Sequence, residues 1–270
     1  MNRTRLAPKS AEQAHRRRVG VAVAALAAAV LLVVVLRPGD DVGSAKGDSS
    51  AEPTAPATSA STKGASSPPS PAPEATTPTP TLPDYRTTGR FRTAPGTSEI
   101  RGTGGRLIRY EIRVEEGSGI RSAAFAAAVD ATLRHPRGWT AGGHWRFQRI
   151  AKGDPDLIIW LATPDTVDKR CGAAGADTDG YTSCRAGRDI LLNLDRWYVG
   201  VPHVKDLDLY RNYLVNHEVG HGLGEGHQAC PGKGRTAPVM LQQTLGLDGC
   251  TANAWPRSPS GKPITGPPRR

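Results

Sequence analysis

His217-Glu218-Val219-Gly220-His221-Gly222-Leu223-Gly224-Glu225-Gly226-His227 is the stretch on which the reading of this chain turns. His217 and His221 are four residues apart, so a helix stacks both imidazoles on one face, one turn apart. Two neutral imidazoles so placed can each give a nitrogen to one Zn²⁺ at about 2.1 Å. Glu218 follows His217 directly and points about 100° round the helix, which sets its carboxylate beside the ion rather than on it. That is where a general base belongs. Gly224 has no Cβ, can take φ > 0, and so can end the helix sharply. The chain can then turn back and bring His227 to the ion as a third ligand. Three protein nitrogens leave a fourth position open for water, which separates a catalytic zinc site from a closed structural one. The plain alternative is ordinary helical histidines. With this chain's frequencies of His, Glu and Gly, the five fixed positions coincide by chance about 2 times in 100,000, so the metal site prevails.

The stretch resembles the metzincin clan of zinc metallopeptidases, whose signature is H-E-x-x-H-x-x-G-x-x-H followed by a Met-turn. All five fixed positions match, and Met240 in Ala237-Pro238-Val239-Met240 stands where the Met-turn methionine is expected. The resemblance implies an α+β fold: a mixed twisted sheet with a backing helix and an active-site helix. It implies His217, His221 and His227 as zinc ligands and Glu218 as the catalytic base. It also implies a sheet edge that pairs with extended substrate, for which Ile190, Leu191, Leu192, Asn193 and Leu194 are the candidates. Two positions depart from the clan. Gln242 stands where many members carry Tyr, and Gln228, after the third His, fits no named subfamily. An anchored linker followed by this motif is also similar to a group of membrane-anchored envelope proteins of high-G+C Gram-positive bacteria.

The composition of the 270 residues is uneven. Residues 1–18 are basic and end in Arg16-Arg17-Arg18; Val19 to Leu36 is then free of charge and rich in Ala, Val and Leu. At 1.5 Å per residue that run spans about 27 Å, enough for a bilayer core. The arginines before it place the N-terminus inside and the remainder outside. An uncleaved signal anchor is expected, with cleavage after Ala45 as the alternative. Residues 37–83 are dominated by Pro, Ser, Thr, Ala and Gly, which cannot bury enough apolar surface to offset ordering, so a disordered spacer is expected.

Residues 84–256 read as the globular domain and 257–270 as a frayed tail. Of the +10 net charge, residues 84–270 carry 26 basic and 19 acidic side chains. A basic surface outside a cell suits anionic wall polymers or acidic peptides; a generic Arg-rich composition is the alternative. No nucleic-acid module is evident. The four cysteines, Cys171, Cys184, Cys230 and Cys250, all lie in this half. An even number in an exported domain implies disulfides. Three pairings exist, and the local ones, Cys171–Cys184 and Cys230–Cys250, close short loops. No C-x-x-C spacing suggests a second zinc site.

Arg106 to Val114 alternates, with Ile108, Tyr110, Ile112 and Val114 on one face, which predicts a half-buried strand. Phe125, Val129 and Leu133 share a face in an Ala-rich helix predicted over Ile120–Leu133. Trp145–Ile150 reads as a second strand. The continuous apolar run Leu157–Leu161 reads as a central strand covered on both faces. Residues 163–188 read as one long loop, whose Asp177 and Asp179 suit Ca²⁺ only weakly without EF-hand spacing. Asp189–Leu194 reads as a strand, and Asp206 or Asp208 can cap a helix running to about Gly222.

Taken together, these features predict a membrane-anchored, extracytoplasmic zinc endopeptidase acting on protein or peptide. A non-catalytic, zinc-stabilised envelope-binding module is the alternative, and an amidohydrolase of peptidoglycan stem peptides is a third.

Overall fold

A computed structural model describes residues 81–269. The expected anchor at Val19–Leu36, and nearly all of the linker, lie outside the described residues. No helix among the described residues is long and apolar enough to cross a membrane.

The chain forms β1 (Phe91–Thr93), β2 (Arg106–Glu115), α1 (Ser122–Arg134), a 3₁₀ turn (Trp139–Gly142), β3 (Trp145–Arg149), β4 (Leu157–Ala162), α2 (Pro164–Ala173), β5 (Cys184–Ala186), β6 (Asp189–Asn193), α3 (Leu194–Val199) and α4 (Leu207–Gly222). The sheet order is β1-β2-β4-β6-β5, and β3 also pairs with β2. β3 runs along Arg106–Tyr110 of β2, and β1 along Arg113–Glu115. The strands β3, β2, β4 and β6 are mutually parallel, whereas β1 and β5 are antiparallel additions. The domain is therefore mixed α+β.

β4 is buried along its whole length because both faces of the sheet are covered. Leu157, Ile159 and Leu161 join Phe125, Val129 and Leu133 of α1 and Leu214 and Val219 of α4 in the main core. Ile158, Trp160 and Ala162 face Val167 and Cys171 of α2 in a smaller one. There the guanidinium groups of Arg113 (4.6 Å) and Arg170 (4.2 Å) lie over the Trp160 ring, with Phe91 edge-on. Burying side chains of this size stabilises by roughly 1.5–3 kcal/mol each.

Four expectations are corrected. Residues 163–188 are not one loop: Pro164 opens α2 at a position where a missing N–H is harmless, Val167 and Cys171 bury one face, and β5 follows. Ile190–Leu194 is not the sheet edge, because β5 covers it through Arg185↔Ile190, and Leu194 already belongs to α3. The edge on that side is β5. Residues 257–269 are not frayed, since their backbone bonds to Arg137, His227 and Ala229. Helix α1 begins at Ser122 rather than Ile120, with Arg121 extended before it.

Candidate metal centre

Helix α4 positions the first three residues of the site. Asp206 is its cap, its carboxylate accepting from Asp208 N (3.0 Å) and Leu209 N (2.9 Å). Tyr210, Tyr213, Leu214 and His217 point into the core, so the ligand face is the packed face. The helix ends where Gly224 takes φ +96°, as its missing Cβ permits, and the chain returns to His227. One nitrogen from each of His217, His221 and His227 lies within 4.8 Å of the others. Among the described residues this is the one group of three His, Cys, Asp or Glu side chains brought together so closely.

Second partners set the ring orientations. His217 Nδ1–H donates to Val239 O (2.8 Å) and His221 Nδ1–H to Glu225 O (2.9 Å). A carbonyl can only accept, so each Nδ1 carries the proton and each Nε2 keeps its lone pair for a metal. His221 Nε2 and His227 Nε2 are 3.0 Å apart. A tetrahedral ion with bonds of about 2.1 Å sets its donors about 3.4 Å apart, near the 3.0 Å of this pair.

The electrostatics agree. Burial, and then the neighbouring His221, push His217 down to about 3. Burial and His221 push His227 down to about 4, and burial lowers His221. All three rings are therefore neutral at pH 7, the form that binds metal. Glu218 is 5% exposed, and its Oε2 has no hydrogen-bond partner. Burial raises its pKa to about 8. An orphaned carboxylate oxygen beside three convergent imidazoles is costly unless a cation or a reacting molecule meets it.

Met240 lies beneath the ligands. Leu241 N donates to Pro238 O (3.0 Å), closing a turn that carries Met240 under α4 and aims Val239 O at His217. Tyr213 OH donates to Leu241 O (3.0 Å) and accepts from Gln243 N (2.8 Å), tying the turn to the helix. The two disulfides are Cys171–Cys184, joining α2 to β5, and Cys230–Cys250, joining the segment after His227 to the loop after the turn.

The histidines and Glu218 line a cleft of about 430 Å³. One wall is Ser183, Cys184 and Arg185 of the β5 region; another is Gln242, Thr244 and Leu245. Sequence reading missed Arg185, Tyr213, Thr244 and Leu245 as cleft residues. Leu245 is 60% exposed, but with Leu241 and Leu247 close by in the chain nothing local set it apart. Asp177 and Asp179 are exposed, His135 stacks on Trp255 at 3.6 Å, and His144 stands apart in a second cavity. Ile190, Leu191 and Leu192 are fully buried away from the cleft.

The fold and site thus define a mixed α+β domain with a three-histidine group that can hold a metal ion. The chain belongs to the family described as "Protein of unknown function (DUF3152)", which matches residues 79–257, about two thirds of its length. No curated protein matches it.

Proposed function

We propose that residues 84–256 form a metzincin-like, zinc-dependent endopeptidase, held outside the cytoplasm by Val19–Leu36. The single observation that supports this most is the pairing of three convergent imidazole nitrogens with a buried, unpartnered Glu218 carboxylate at the floor of an open cleft. A metal-stabilised binding module has no use for that carboxylate. The two disulfides suit an oxidising compartment.

When bound by His217, His221 and His227, Zn²⁺ supplies a Lewis acid for the scissile carbonyl and for water, and its charge favours the ionised form of Glu218. Glu218 Oε2 then accepts a proton from the attacking water as the new carbon–oxygen bond forms. The same oxygen delivers that proton to the amide nitrogen as the carbon–nitrogen bond breaks. β5 is the terminal strand of its side of the sheet and borders the cleft, so an extended peptide adds beside it by main-chain hydrogen bonds. Leu245 offers the peptide an apolar contact and Arg185 an ionic one.

The test is Glu218→Ala in the full chain. It should retain zinc at wild-type stoichiometry and lose turnover of casein or cell-wall peptides by a factor of at least about 100. Equal hydrolysis by both proteins, or no zinc in either, overturns the proposal.

A further inference from the structure

His227 sits on a loop whose preceding residues, Gly224 to Gly226, are exposed. One tie holds it to the turn below: Gln228 N donates to Met240 O (3.0 Å). Upstream, Glu225 N donates to Gly220 O (2.9 Å) and Glu225 O accepts from His221 Nδ1–H (2.9 Å), tying the loop to α4. Three further ties run to residues 266–269. Gln228 Oε1 accepts from Gly266 N (2.9 Å), Ala229 N donates to Pro267 O (2.8 Å), and Arg269 N donates to His227 O (2.9 Å).

The approach at Gly266 leaves no room for a side chain. A Cβ there would lie 2.0 Å from Ala229 O and 2.9 Å from Pro238 Cγ. The segment is also fixed at its root. Arg257 N donates to Arg137 O (3.2 Å), Arg137 Nε donates to Arg257 O (2.9 Å), and Ile264 N donates to Pro256 O (2.9 Å). Pro263, Pro267 and Pro268 reduce the freedom such a segment loses on docking. These residues lie past position 257, where the family match ends.

We infer that residues 263–269 are a strap that positions His227 as a metal ligand, with Gln228 and Gly266 as its positioning residues. The inference rests on the metal-centre reading above. A ligand carried on a loose loop must surrender that looseness when it binds, which weakens binding; a loop already tied by three bonds does not. The unusual Gln after the third histidine then has a physical role, as the acceptor that receives the strap.

The experiment uses the full chain with Gly266→Ala, Gln228→Ala and Gln228→Glu. Zinc affinity is read by competition with a chromophoric chelator, and protection of the Ala229 amide by hydrogen exchange in the metal-free protein. Gly266→Ala and Gln228→Ala should weaken zinc about 10- to 100-fold and speed exchange at Ala229, with far-UV spectra unchanged. Gln228→Glu keeps an acceptor oxygen and should restore slow exchange. Wild-type zinc affinity in both disrupting variants overturns the strap. If the wild type binds no zinc, the metal-centre reading fails instead, and unchanged Ala229 exchange in the variants would then overturn the strap independently. Should Gly266→Ala not fold, the two Gln228 variants carry the test.

Discussion

Gly220 and Met240 share one space: a Cβ added at Gly220 would lie 2.5 Å from Met240 Sδ and 2.8 Å from Trp139 Cζ2. The glycine is the fourth residue of the H-E-V-G-H run, and its bareness lets the methionine turn press against α4 directly below the three histidines.

Gly220→Ala sets two effects against each other. Alanine in a helix interior is favoured over glycine by about 1 kcal/mol. Overpacking a filled core costs about 1–3 kcal/mol, and here the opposing atoms include a rigid indole whose Nε1–H is committed to Asn216 O (3.0 Å). The clash should win. Net destabilisation of up to roughly 2 kcal/mol by urea denaturation is expected, with weakened zinc binding because Val239 O must move with the turn. A stabilised variant would show that the turn yields freely.

The metal-free protein should have a stability maximum near pH 6.5. Burial holds His217 at about 3 and His227 at about 4, against 6.5 when unfolded. Their contribution is full above pH 6.5 and is lost as pH falls through those lower values. Burial raises Glu218 from 4.5 to about 8. Its contribution is full below pH 4.5 and is lost as pH rises through 8. Two histidines outweigh one carboxyl below pH 6.5, and above it only Glu218 acts. Glu218→Gln should therefore abolish a decline of about 2 kcal/mol between pH 6.5 and 8. Denaturant midpoints against pH in a chelating buffer measure this, and parallel curves for the two proteins would refute it.

Replacing both Cys171 and Cys184 by Ala should cost about 2–4 kcal/mol, since the bridge closes a short loop with a sequence separation of 13. The effect on function should be selective. β5 is three residues long and held to the fold by β6 and this bridge, while every histidine ligand lies elsewhere. Zinc affinity should stay near wild type while KM for a peptide substrate rises. A parallel loss of zinc would mean that α2 and β5 support the ligands as well.

The parts of this fold that could be read from the chain were those with local period or local chemistry. Alternation marked β2, an unbroken apolar run marked β4, and Phe125, Val129 and Leu133 marked α1. The convergence of His217, His221 and His227, with Glu218 beside them, follows from spacing and one bare glycine. What escaped reading depends on distant pairing. β1 and β5 have three residues each, too few for any period. α2 hides in a stretch of Thr, Asp and Lys with only Thr166, Val167 and Cys171 turned inward, one of them polar. That β6 is central rather than marginal is decided by its partner, Cys184–Ala186, and not by its own side chains. Residues 257–269 have no apolar pattern at all; backbone bonds to a loop some forty positions earlier order them.

Val239 O, Met240 and the strap all follow the histidines they orient. A ribosome delivers a chain from its first residue to its last, so the three imidazoles emerge before the groups that aim them. A nascent chain halted near residue 230 would carry every ligand yet only a slack chelator, with Cys230 still lacking its mate at Cys250. On the proposed reading, the metal geometry is complete only after residues 263–269 have been made and have docked on the loop.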